Sequence, residues 1–259
     1  MSYRAAVAVL LALGVAGCAS GASISALGTN IAEATASAAG TPTDKSTFDP
    51  FGTNDDTDFG RRNVIEKPTL ADVLQPGPLP ENSYGKPDAP VVVIKYASLT
   101  CPYCRQFHLK TFPVFKREYI DTGKVRFILR EFPIGFQSGT ATVAWRCAPK
   151  AKRLDLYSRF LNQQSRWVSQ EVRRPPIYAI ARQVGVTKAQ LDACYEDKTL
   201  VNALKVIKER GRTLGIIGTP NFFINNRLEK RVLTIRDLRE IIDPLVAAGG
   251  AQARRTKTL

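Results

Sequence analysis

Apolar residues along this chain fall into two regimes: short, nearly continuous runs, and longer stretches where they recur three and four apart. The run VVVIKYASL (91–99) is β-branched and almost wholly apolar, as a strand buried on both faces would be. VRFILREFPI (125–134) has the same character. Between them, CRQFHLKTFPVFKREYI spaces Phe107, Phe112, Phe115 and Tyr119 as a helix does, and Pro113 is expected to kink it. The order strand, helix, strand is a βαβ unit. Upstream, QPGPLPENSYGKPDAP (75–90) is rich in proline and glycine and reads as turns.

The stretch from Gln137 to Arg210 is helical in pattern, with apolar positions three and four apart in TATVAWRCAPKAKRLDLYSRFLNQQ and TLVNALKVIKERG. Thr187 followed by Gln190 forms a capping box at the start of one helix. TPNFFINN then reads as a strand reaching an Asn-Asn turn, and RLEKRVL pairs back antiparallel. TIRDLREIIDPLVAAGG predicts a last amphipathic helix. Thr234 is its cap, Ile235, Leu238, Ile241 and Ile242 share one face, and Gly249 lies beyond the end. AQARRTKTL (250–259 with the preceding Gly) is expected to be a loose basic tail. No internal repeat is visible.

Length and charge narrow the picture. The chain has 259 residues, enough for a real hydrophobic core, and a formal net charge of +14. A solvated basic surface is the simplest reading, with attraction to anionic lipid or acidic partners as the rival. Nucleic acid is not implied, because no stripe of basic and aromatic residues tracks a backbone.

The N-terminus adds a compartment. Residues 1–17 carry one positive charge and an apolar run from Ala5 to Gly17, too short to span a bilayer and matched to a signal peptide. Val15-Ala16-Gly17-Cys18 resembles a bacterial lipobox, in which Cys18 would become the lipid-carrying N-terminus. The alternative is an ordinary signal peptide with Cys18 incidental. Ala19, rather than Asp, after the modified cysteine slightly favours the outer membrane. Residues 18–67 are rich in Ala, Ser, Thr, Gly and Asp and read as a flexible tether, with a short helical arm at NIAEATASAA as the rival. An extracytoplasmic, membrane-anchored protein is the expectation.

Five cysteines are present: Cys18, Cys101, Cys104, Cys147 and Cys194. With Cys18 given to lipid, four remain where disulfides survive. Cys101 and Cys104, in TCPYCRQFH, form the obvious pair. That leaves Cys147 and Cys194 to each other, or as two buried free thiols. A structural zinc would need four ligands, and the chain offers one Cys-x-x-Cys and a single histidine, His108. An inert bridge across two residues closes too small a ring to add much stability. A redox pair fits best. A cysteine in the first turn of a helix meets the positive end of the macrodipole and orphan backbone N–H groups, so Cys101 is expected to be the low-pKa nucleophile. Pro102 suits the first helical turn. Cys104, one turn in, is the more buried, resolving thiol. Tyr103 lies between them and tunes the couple.

Strand, Cys-Pro-Tyr-Cys, helix, strand, helical insertion and then Gly218-Thr219-Pro220 before a strand resemble the DsbA-type thiol:disulfide oxidoreductases of the thioredoxin superfamily. YASLTCPYC and GTPNFFIN are especially similar to bacterial members, and the likeness runs from about Glu81 to Gly249. The resemblance implies an α/β thioredoxin fold with a helical insertion domain. Its two parts would be 68–137 and 211–249, with 138–210 inserted. It also implies that Pro220 follows a cis bond and faces the cysteines, so that Thr219 offers backbone groups to an extended substrate. Taken alone, Thr-Pro would be an ordinary strand-entry turn. Some alphaproteobacterial members are similar in carrying a second bridge like Cys147–Cys194, which would staple two helices.

One residue departs from the family pattern. Six positions before Cys101 such proteins often hold a buried acid, and here Lys95 stands there. Near the pair, its ammonium would favour thiolate and make the disulfide more oxidising. The alternative is a lysine that snorkels to solvent. His108, one turn past Cys104, is expected to be a packing residue directed away from the sulfurs.

These readings point to an enzyme that introduces disulfides into reduced secreted or periplasmic proteins through Cys101 and Cys104. By resemblance, a DsbB-like membrane partner would reoxidise it. A disulfide isomerase or reductase of the same fold is the first alternative, and a non-enzymatic, chaperone-like binding module the second. No cofactor is implied, since no phosphate-binding glycine loop and no flavin or haem signature occurs.

Overall fold

The computed structural model describes residues 63–256. Cys18, the signal-like segment 1–17, the tether up to residue 62 and the last three residues of the basic tail lie outside the described residues.

The described chain enters with α1 (Leu70–Leu74), started by a reciprocal capping box between Thr69 and Asp72. The turn-rich lead-in then contains a short strand, β1 (Asn82–Tyr84), that sequence periodicity does not announce. Next come β2 (Val91–Ala97) and, after the cysteine pair and its helix, β3 (Val125–Glu131). β4 (Asn221–Ile224) and β5 (Arg227–Glu229) arrive near the C-terminus. The sheet runs in the order β1-β3-β2-β4-β5. β2 and β3 are parallel, and the other neighbours are antiparallel. Asn225 turns β4 into β5 with a positive φ of 53°, which Asn tolerates better than most residues.

The helix after the cysteines begins as α2 (Pro102–Gln106), passes a π turn at Phe107–Thr111, resumes as α3 (Phe112–Phe115) and ends in a second π turn at Lys116–Ile120. Pro113 lacks an N–H, and the Phe112 N–H reaches back five residues to Phe107 O. The disturbance expected at Pro113 thus takes the form of π turns before and after it, within one helical path.

The two faces of the sheet bury different residues. Val91, Val93 and Ala97 of β2, with Phe127 and Leu129 of β3 and Phe222 of β4, join the larger core under Phe107, Phe112 and Phe115. Ile94, Tyr96, Ile128 and Phe223 face the other way and pack with Val73, Phe132, Leu214 and Ile216.

The insertion supplies α4 (Phe136–Cys147), α5 (Arg153–Asn162), α6 (Gln164–Trp167), α7 (Arg174–Ala181) and α8 (Lys188–Glu196), the last started by the Thr187–Gln190 capping box. A disulfide joins Cys147 at the end of α4 to Cys194 in α8, with 6.0 Å between their Cα atoms. At the base of α4, Arg146 forms a buried ion pair with Glu131 of β3 and donates to Pro80 O at 2.6 Å, while Asn82 of β1 donates to the same carboxylate at 3.0 Å. The insertion is therefore tied to the sheet through polar groups at the end of β3.

α9 (Lys198–Thr213) runs straight through residue 210, where the insertion is expected to end. A Cβ at its Gly211 would sit 3.0 Å from the rings of Phe132 and Tyr96, so this helix lies hard against the sheet face. α10 (Ile235–Thr256) is also longer than expected. Thr234 caps it through Asp237, and the helix continues past Gly249 into residues read as a loose tail. At Gly249 a Cβ would approach Pro90 Cβ to 2.9 Å, so this glycine permits close packing and does not end the helix. Ala, Gln and Arg beyond it are good helix formers. Among the described residues, no helix is long and apolar enough to cross a membrane.

Candidate active site

β2 ends at Ala97, and three residues later the chain turns into α2 with Cys101 as its N-cap. Cys101 is extended (φ −72°, ψ 121°), its Sγ accepts the Cys104 N–H at 3.3 Å, and Pro102 fills the first helical position. Cys101 is half-buried, Cys104 fully buried, and Tyr103 between them exposed. Both cysteines are free thiols.

Three polar contacts hold the loop before Cys101. The Ser98 and Ser138 hydroxyls lie 2.7 Å apart, linking the strand end to α4. The Gln164 side-chain amide donates to Leu99 O at 2.7 Å and to Cys101 O at 3.1 Å, so α6 of the insertion grips the carbonyls on either side of Thr100. From the other side, the Thr219–Pro220 peptide bond is cis, and Cys101 Sγ lies 3.1 Å from Thr219 O, to which it donates when protonated.

The two thiols are driven apart electrostatically. A hydrogen bond from the Cys104 thiol holds the Cys101 pKa down at about 6, aided by Thr219 and by the backbone N–H groups of Cys104 and Tyr103, against burial that pushes it up. Burial pushes Cys104 well above the usual thiol range, and Cys101 adds to this, while the Lys95 charge opposes it. At neutral pH one sulfur is a thiolate near the surface and the other a thiol beneath it.

Lys95 does not snorkel. It is 1% exposed, and its Nζ donates to Tyr157 Oη at 3.2 Å and lies 4.5 Å from the centre of the Phe107 ring. Burial lowers its pKa, and the charges of Cys104 and Cys101 raise it. His108 is buried too: Nε2 is 2.9 Å from Ser158 Oγ, and its ring stacks on Phe112 and meets Tyr157 edge-on. Burial and then Lys95 bring its pKa down to about 3, so it is a neutral packing residue.

Around the cysteines, large apolar side chains stand in solvent on the same segments: Tyr103 at 59% exposure, Ile134 beside Ser98, Val168 after α6, and Ile217 at 77% ahead of Thr219. Cys147 and Cys194 belong to a separate feature, the α4–α8 bridge. Among the described residues, no group of three or more His, Cys, Asp or Glu side chains is gathered as a metal ion would need.

Gln164, Ser138 and Tyr157 are the residues that sequence reasoning missed. Each lies on an ordinary helical pattern 37 or more positions from Cys101, and only the packing of the insertion over the strand end brings them to the site.

A thioredoxin family model matches residues 79–244, well over half of the chain. The chain is 30% identical over 167 residues to a Rickettsia bellii protein named as a protein-disulfide oxidoreductase, an alignment covering 62% of this chain and 63% of that protein. It thus spans less than two thirds of that relative's length. It is 26% identical to a disulfide bond formation protein D of Bacillus anthracis, covering 57% of this chain and 71% of the relative. The crystal structure of alpha-DsbA1 from Wolbachia pipientis superposes with a TM-score of 0.65 at 26% identity, covering 71% of this chain and all of that one.

Proposed function

The chain belongs to the thioredoxin superfamily, in its DsbA-type branch, and from that premise we propose that it oxidises pairs of thiols in other proteins through Cys101 and Cys104. The observation that carries this reading is the asymmetry of the pair. Cys101, an N-cap held near pKa 6 and half-exposed, is built to be attacked and to leave, while Cys104 is buried and stays protonated until used.

In the oxidised enzyme, a substrate thiolate attacks Cys101 Sγ. The Cys101–Cys104 bond breaks, a substrate–Cys101 mixed disulfide forms, and Cys104 leaves and takes up a proton. The substrate's second thiolate then attacks its partner sulfur and expels Cys101 as a stabilised thiolate. The substrate loses two electrons and the enzyme gains them. Cys101, on the side facing solvent, is the sulfur a large substrate reaches. Thr219 O, 3.1 Å from Cys101 Sγ, is placed to pair with an extended segment beside the sulfur, and the exposed Tyr103, Ile134, Val168 and Ile217 supply apolar contact of low selectivity. Pro102 and Tyr103 set the local geometry of the couple, and Lys95 its charge.

In this reading the substrates are reduced secreted or periplasmic proteins, a DsbB-like membrane partner restores the disulfide, and Cys18 carries a lipid anchor with the outer membrane slightly favoured. Cys147–Cys194 is a structural bridge. To test the function, oxidised protein is mixed with one equivalent of a reduced, unfolded, disulfide-forming protein. The expected result is loss of two substrate thiols per enzyme, abolished in Cys101→Ser. A chain that leaves those thiols intact would not be an oxidase.

A further inference from the structure

Lys95 sits where an ammonium has little reason to be. It lies in the central strand, opposite Leu129 on β3 and Phe222 on β4, and beside the Phe107 ring, which itself packs on Phe222. Its ammonium donates to the phenol of Tyr157 on α5. The ionisable groups facing it from the packed elements are Cys101 and Cys104 from the cysteine turn, His108 from the π turn that follows, and Tyr157. Of these, His108 is neutral and the Tyr157 phenol stays protonated, so neither supplies a negative charge. Strand alternation also puts Glu131 and Glu229 on this face of the sheet. Glu131 is held by Arg146 and Asn82, and Glu229 by Arg227 and Arg231.

Among the described residues, the anion left to compensate the Lys95 ammonium is therefore a cysteine thiolate, and that anion exists only when the pair is reduced. In a low-dielectric site an uncompensated ammonium gives up its proton, whereas one beside a thiolate keeps it. We propose that Lys95 carries the redox-linked proton of this chain: its amine is neutral beneath the Cys101–Cys104 disulfide and takes up a proton when the pair is reduced. The proposal rests on the oxidoreductase reading above.

The balance closes without any other reactant. A substrate dithiol carries two electrons and two protons. After transfer, the substrate is a disulfide, Cys101 is a thiolate, Cys104 is a thiol holding one proton, and Lys95 is an ammonium holding the other. Without Lys95, the reduced pair would keep only one of the two protons at a pH above the Cys101 pKa. Lys95 acts here as a tuning residue, through the charge on the sulfur, and it holds the reduced state together by closing an ion pair in a dry site.

The experiment is the pH dependence of the Cys101–Cys104 equilibrium with glutathione between pH 7 and 8.5, corrected for the proton balance of glutathione. The Cys101 pKa is read separately from thiolate absorbance. Wild type is expected to take up two protons per disulfide reduced, a 100-fold change in the equilibrium per pH unit, or about 59 mV. Lys95→Met, similar in length and apolar, is expected to take up one, a tenfold change or about 30 mV. A merely structural role for Lys95 leaves the proton number unchanged. One proton in wild type overturns the proposal without recourse to any variant, and so do equal numbers in wild type and Lys95→Met. A pair that fails to exchange with glutathione at all overturns the oxidoreductase reading along with it.

Discussion

At the scale of single residues, the chemistry rests on two sulfurs in contrasting surroundings. Cys101 is held near pKa 6 by hydrogen bonds, whereas an unfolded cysteine titrates at about 8.5. Its alkylation in the reduced protein should therefore rise with pH through about 6 and level off by neutrality, with Cys104 unreactive throughout. A midpoint near that of free cysteine would contradict the site's electrostatics. The sign for stability follows. The folded value is depressed, so the thiolate's contribution to the reduced protein is complete above about 8.5 and is lost as pH falls through about 6. Lys95→Glu would place a carboxylate beside the thiolate and weaken the reduced form. The reduction potential should fall by at least about 30 mV, a tenfold change in the equilibrium. An unchanged potential together with an unchanged Cys101 pKa would remove Lys95 from the mechanism.

At the scale of elements, much was legible because the signals were local. VVVIKYA and VRFILRE declare buried strands by composition alone, and Thr187 with Gln190 declares a helix start. β1 was not legible, since Asn82–Tyr84 lies among turn residues and becomes a strand only because β3 offers it an edge. Gly249 misled because a glycine near a helix end usually stops it, whereas here it makes room for Pro90. The chemistry of TCPYC was visible in the chain. The grip of Gln164 on Leu99 O and Cys101 O was not, because it joins residues more than sixty positions apart. The Cys147–Cys194 bridge, spanning 47 positions, fastens α4 to α8. Replacing both cysteines with serine should cost roughly 2–4 kcal/mol in denaturant unfolding. A double variant as stable as wild type would show that helix packing alone holds the insertion.

At the scale of the whole molecule, the parts work as one lever on a single equilibrium. The sheet positions Cys101 after the end of β2, the insertion grips its loop through Gln164 and Ser138, and Lys95 is buried in β2 with no carboxylate bonded to it among the described residues. The hydrogen bonds that Cys104, Thr219 and the turn backbone direct at Cys101 favour its thiolate, hence the reduced enzyme, and so make the disulfide a better oxidant. The most direct measurement is the equilibrium reduction potential of the Cys101–Cys104 couple against glutathione at pH 7. A value well above about −200 mV, toward the roughly −120 mV of DsbA, is the expected result for a chain that gives its disulfide away. A value near the roughly −270 mV of thioredoxin would mean a pair kept reduced, and would contradict the account.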